Sequence, residues 1–103
     1  MPTADGPNNG VIASSAAFAA TLRNVFAAAT PMPVSSYDGV DGLQPRNDLA
    51  GLNLTTVPKV LIECGNMRNA TDAALLVTAS FQQAAAAAMA QAITAYLTSG
   101  VQA

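Results

Sequence analysis

The chain has 103 residues, 51% of them hydrophobic, with six acidic side chains, four basic ones and no histidine. That length fits one domain or part of one, and a formal charge of −2 without any basic cluster excludes nucleic acid as a partner. Cys64 is the single cysteine, so no disulfide closes within the chain, and with no histidine beside it there is no zinc site to build.

Alanine dominates the apolar fraction, and with three Phe, two Tyr and no Trp the core is thin for the chain length. Charged residues make up 10%, well below the roughly 25% of an average composition. A surface of Ala, Ser, Thr, Asn and Gln protects only weakly against association.

Residues 1–13 read as a loop or disordered lead-in: Pro2, Pro7, Gly6, Gly10 and the Asn8-Asn9 pair all break regular structure. With neither a positive n-region nor an apolar h-region, this is not a secretory signal. From Ser14 or Ser15 the pattern changes. Phe18, Leu22, Val25 and Phe26 fall on one stripe of a helix running to about Ala29, and Pro31 and Pro33 stop it. The section from Val34 to Asp48 reads as a long loop, functional or mobile, with a short extended piece at Val34 to Tyr37. Asn47 to Leu52 fits a single helical turn capped by Asn47.

The stretch from Val57 to Asn69 organises the rest. Val60, Leu61 and Ile62 form an apolar run typical of a strand covered on both faces, and Pro58 is tolerated only at such a strand's start. Glu63 follows, Gly65 turns the chain, and Asn69 with Asp72 signals a new helix over Ala70 to Val77. Strand, acid, turn and helix in that order mark where ligands bind in open α/β sheets. Ser80 and Gln83 predict the capping box of a last helix, with Phe81, Ala85, Met89, Ala92, Ile93, Tyr96 and Leu97 on its buried face and Gly100 at its end. Residues 100–103 form a tail. The Ala84 to Ala90 run is far short of the roughly 20 apolar residues of a membrane span.

Glu63 has two readings. A carboxylate at a strand's end can simply reach solvent or cap the next helix, or it can sit at the edge of low dielectric with its acidity tuned for general-base work. Arg46 offers a planar fork for a substrate carboxylate, or is merely the neighbour of Asp48. Asn66 can orient a ligand amide or serve the turn, while Asn69 is a cap. Met67 is expected to pack inward, and Cys64 to pack as a small apolar residue. Asp38 and Asp41 lack the spacing of a calcium loop, and no metal-binding set is found in the chain.

These residues carry a resemblance. Arg46 to Leu54, then Val57-Pro58-Lys59-Val60-Leu61-Ile62-Glu63, then Gly65, Asn66, Met67 and Asn69, and the Leu75-Leu76 pair resemble the carboxy-terminal part of zinc-dependent N-acetylmuramoyl-L-alanine amidases, closest to the mycobacterial and actinobacterial peptidoglycan enzymes. The likeness covers about residues 14 to 98, so residues 14–99 are expected to be a partial amidase catalytic domain. It implies an α/β fold: the carboxy-terminal portion of a mainly parallel sheet with flanking helices, its amino-terminal strands missing. It also implies hydrolysis of the amide between the lactyl group of N-acetylmuramic acid and the first L-alanine of the stem peptide. Zinc would polarise that carbonyl, and the glutamate at Glu63 would act as general base or stabilise the transition state.

The family's zinc ligands, two histidines and a glutamate, lie upstream of the matching segment, and Ala4-Asp5 sets Thr3 where the last histidine belongs. The chain thus reads as an amidase begun too late, holding no zinc and inactive alone. The alternatives are a non-catalytic module binding muropeptide or another cell-wall protein in a retained groove, or an inert remnant whose Ala-rich helix mediates assembly; exposed sheet edges offer a separate route to self-association. Peptidoglycan is the implied partner, and the cell envelope or extracellular space the implied location of the family.

Overall fold

The computed structural model describes residues 1–3, 6–35 and 39–99. Tyr37 in the expected extended piece, Asp38, the Ala4-Asp5 match, the helix end at Gly100 and the tail lie outside the described residues.

Helix α1 spans Ile12–Ala29, starting slightly before its apolar stripe. Leu22 and Phe26 are buried, whereas Phe18 and Val25 are half-buried. Thr30 terminates it, its N–H and its hydroxyl both donating to the Phe26 carbonyl at 3.0 Å, and the prolines behind it prevent continuation. Helix α4 spans Ala79–Thr98 and packs along α1, the main contact of the fold. Its Ala85, Ala88 and Ala92 are buried, and such small side chains let the two backbones approach closely. Two aromatic pairs bracket that contact. Phe26 meets Phe81 edge-on with ring centroids 6.2 Å apart, and Phe18 meets Tyr96 at 4.9 Å, geometries that add to plain area burial.

The buried face of α4 is narrower than expected. Phe81, Ala85, Ala88, Ala92 and Tyr96 are buried, but Ile93 and Leu97 are exposed, because a single partner helix covers only one stripe of its surface. The cap also differs. Thr78, not Ser80, accepts from the Phe81 N–H at 3.2 Å. Helix α3, Ala70–Leu76, begins as expected, with Asn69 Oδ1 accepting from the Asp72 N–H at 3.0 Å. Helix α2 is the single turn Ala50–Asn53. Leu49 rather than Asn47 is its N-cap, and the Asn47 carbonyl instead receives a bond from Asn53 Nδ2 at 2.6 Å.

The lead-in is ordered at its described residues, contrary to expectation. Pro7–Val11 form a 3-10 turn, and Asn8 is fully buried, its Nδ2 donating to the carbonyls of Thr3 at 2.7 Å and Leu52 at 3.0 Å. One side chain thereby ties the amino terminus to α2. The 23-residue run Pro7–Ala29 is long and apolar enough to cross a membrane by length and composition, a property shared with core helices such as this one, whose Leu22 and Phe26 are buried.

The parallel-sheet α/β architecture is not found. Among the described residues there is no strand and no sheet, only the isolated bridges Pro2 to Arg46 and Val40 to Leu43. The physical reason lies in what defines a strand. From Val57 to Cys64 burial alternates residue by residue, odd positions exposed and even ones half-buried, the period-two signature of extended backbone. Yet among the described residues no hydrogen bond involves the backbone of Val60–Gly65. The segment is extended but has no neighbour with which to form a ladder.

Replacing Phe81 by Ala should cost about 3–5 kcal/mol, comparable to the whole stability of so small a core. The expected result is loss of a cooperative thermal transition in the helical circular dichroism signal. Tyr96→Phe is expected to do the opposite. The Tyr96 hydroxyl is buried with no hydrogen-bond partner among the described residues, and removing an unsatisfied group relieves about 1 kcal/mol, so the melting temperature should rise. A fall in melting temperature would show that the hydroxyl is satisfied.

Candidate active site

A groove of about 200 Å³ lies between α1 and the extended segment, and Arg46, Glu63 and Asn66 all line it. Its apolar walls include Leu22 and Phe26 of α1 and Val60 and Ile62 of the segment. The three residues singled out from the sequence are therefore brought to one concavity, although they are separated by up to twenty positions of chain.

Glu63 occupies the exposed side of the alternating segment, and its carboxylate makes no hydrogen bond or ion pair among the described residues. Lys59, Leu61 and Glu63 share that exposed side, alternating with half-buried neighbours. Behind Glu63, Ile62 and Cys64 pack against the cluster of Phe26, Met32 and Phe81. Burial pushes the Cys64 thiol above its ordinary value, so the group is protonated and unreactive at neutral pH. Gly65 has a different role from the sharp turn expected. A Cβ there would lie 2.8 Å from the Met32 methyl carbon, so any larger residue would require the end of the flexible Met32 side chain to shift. Met67, expected to pack inward, is 83% exposed, because it falls in the turn beyond the end of the covered segment.

Arg46 is held at both its backbone and its side chain. Its N–H donates to the Met1 carbonyl at 2.9 Å and its carbonyl accepts from the Thr3 N–H at 3.3 Å. The guanidinium clasps Asp48 through Nε to Oδ1 at 2.8 Å and Nη2 to Oδ2 at 2.6 Å, a fork-to-carboxylate geometry. This pair holds the Asp48 carboxyl below its ordinary value. Any anionic ligand at Arg46 has to share the guanidinium with that carboxylate.

Asn66 serves the turn. Its N–H donates to Asp72 Oδ2 at 3.0 Å, its Oδ1 accepts from the Arg68 N–H at 3.0 Å, and its carbonyl accepts from the Asn69 N–H at 3.0 Å. Asp72, read from the sequence only as a first-turn acid, is buried and ties the end of the extended segment to α3. Arg23 was missed altogether. It lines the same groove from α1 and donates through Nη1 to the Asp41 carbonyl at 3.4 Å. In the sequence it merely follows Leu22, and nothing short of the fold aims it there.

Zinc does not fit the residues present. There is no histidine in the chain, and among the described residues no cluster of three His, Cys, Asp or Glu side chains is gathered to hold a metal ion.

The Arg46–Asp48 pair predicts a specific titration. A carboxyl with a depressed value keeps its pairing above the ordinary aspartate range and loses it as pH falls through the lowered midpoint. Carbon-detected NMR of Asp48 should therefore show a midpoint below the ordinary aspartate value, moving up toward it in Arg46→Gln. An unchanged midpoint in the variant would mean that the guanidinium does not hold the carboxylate in solution.

Two comparisons bear on this site. A family model described as N-acetylmuramoyl-L-alanine amidase matches residues 7–95. The N-acetylmuramoyl-L-alanine amidase Rv3717 of Mycobacterium tuberculosis is 41% identical over 86 residues, covering 84% of this chain and 35% of that protein. The chain thus spans about a third of the length of the relative it matches. With most of its length matched and the groove-lining residues Arg46, Glu63 and Asn66 all inside the matched span, this chain belongs to the N-acetylmuramoyl-L-alanine amidase family.

Proposed function

We propose that this chain supplies the general-base carboxylate and one wall of the substrate groove for hydrolysis of the amide joining the lactyl group of N-acetylmuramic acid to L-alanine. The observation that carries the reading is Glu63, exposed and without a hydrogen bond or ion pair among the described residues, on the lining of a groove whose other wall includes Leu22, Arg23 and Phe26 of α1. Its carboxylate takes a proton from a water molecule as the oxygen adds to the amide carbonyl carbon. The proton then passes to the leaving nitrogen as the carbon–nitrogen bond breaks, releasing a lactyl carboxylate and the alanine amine. Arg46 and Asn66 would meet the polar groups of the stem peptide, Arg46 by sharing its fork with Asp48. Peptidoglycan is the proposed substrate and the cell envelope the proposed place of action.

Zinc belongs to the family's chemistry but is assigned to no residue of this chain, and no step above is routed through it. A second reading, a non-catalytic module that grips muropeptide without cutting it, is favoured by the same mismatch between the chain's donor set and a metal site.

A chimera separates the two. In the Mycobacterium tuberculosis relative, the matched 86-residue stretch is replaced by the corresponding part of this chain, and release of stem peptide from muropeptide is followed by mass spectrometry. The catalytic reading expects an active chimera in which Glu63→Gln lowers kcat by about 10²–10⁴ with muropeptide binding retained. An inactive chimera that still binds muropeptide supports the second reading, and undiminished turnover in Glu63→Gln rules out the base assignment.

A further inference from the structure

We propose that the extended segment Val57–Cys64 is a self-recognition edge, at which two copies of this chain pair antiparallel about a two-fold axis through Leu61. The inference rests on backbone bonding and charge, and is independent of the amidase reading.

Unpaired amide and carbonyl groups in a row are a template for another strand, and main-chain bonding along such an edge is an established mode of association. Here the two edges differ. The Lys59 N–H, on the odd-numbered edge, is already donated to Ser15 Oγ on α1 at 3.1 Å. On the other edge, Val60, Ile62 and Cys64 have no backbone partner among the described residues, so that edge is open over its whole length whereas the odd-numbered one is blocked at Lys59. Pro58 shares it and lacks an N–H, which confines it to the ladder's end.

The sequence of the segment selects the partner. About an axis at Leu61, the backbone groups of Val60 exchange hydrogen bonds with Ile62 of the partner subunit, and both side chains lie on the face already directed at the core. On the opposite face Lys59 stands across from Glu63 of the partner subunit, and by symmetry Glu63 stands across from Lys59 of the partner subunit. Neither side chain has an ion pair within its own chain among the described residues. These lie at positions of the ladder where the two strands exchange no hydrogen bonds and side chains are closest. Leu61, 57% exposed, meets its own copy on the axis and loses that exposure. Shifting the antiparallel register by two residues in either direction loses the Lys–Glu match, so charge fixes the pairing as well as favouring it. A further consequence is that pairing engages Glu63, which lines the groove.

The test is sedimentation equilibrium of the full chain with two kinds of variant. The wild type should show a reversible equilibrium between 10.4 kDa and twice that mass, weakened by added salt. Lys59→Glu or Glu63→Lys alone should weaken dimerisation about tenfold, since each replaces two attractions by two repulsions, and the double charge swap should restore it. In a Cys64→Ser background, Leu61→Cys should form a symmetric disulfide dimer under mild oxidation, because opposed positions without hydrogen bonds bring Cβ atoms within bridging range. Leu61 is exposed, so that substitution leaves the core intact. A chain that remains monomeric, or dimers indifferent to single charge reversal and uncrosslinked through Leu61→Cys, overturn the proposal.

Discussion

The close contact of α1 with α4 is what the rest of the chain depends on. Three alanines of α4 allow the approach, and the Phe26–Phe81 and Phe18–Tyr96 pairs place four of the chain's five aromatic side chains across it. Everything else rests on that pair. Ile62 and Cys64 set the extended segment against it, Met32 packs beside Gly65, and Asn8 draws the amino terminus onto α2 beside it.

The second constraint works against the first. Backbone polar groups need partners, and the segment that carries Glu63 lies on the helices with its backbone groups unpaired from Val60 to Gly65 among the described residues. Side-chain burial keeps the segment extended, while the missing ladder leaves Glu63 on an uncovered face. The chain matches about a third of its mycobacterial relative's length, and most of that relative's polypeptide has no counterpart in this chain.

The polar groups around the groove divide by how they are used. Asp72 and Asn66 are spent on the turn that joins the segment to α3, and Arg46 is shared with Asp48, whereas Glu63 is uncommitted. The local pairs were visible from the sequence because their partners are close along the chain. Arg46 and Asp48 are two residues apart, and Asn69 caps the helix that holds Asp72. Asn8, Arg23 and Met32 were not legible, since their partners or surroundings come from distant parts of the chain.

By itself the sequence determined the two long helices, the cap at Asn69, the stop at the paired prolines, and the family. Those are consequences of periodicity, local hydrogen bonding and motif order, which need no knowledge of distant neighbours. Only the tertiary structure decided that Val60 to Ile62 is no strand of a sheet, that α4 buries a single narrow stripe, and that Met67 faces water. Each of these depends on what lies across from a residue: a strand requires a second strand at hydrogen-bonding distance and a buried face requires something to cover it, and neither is encoded in the residue itself.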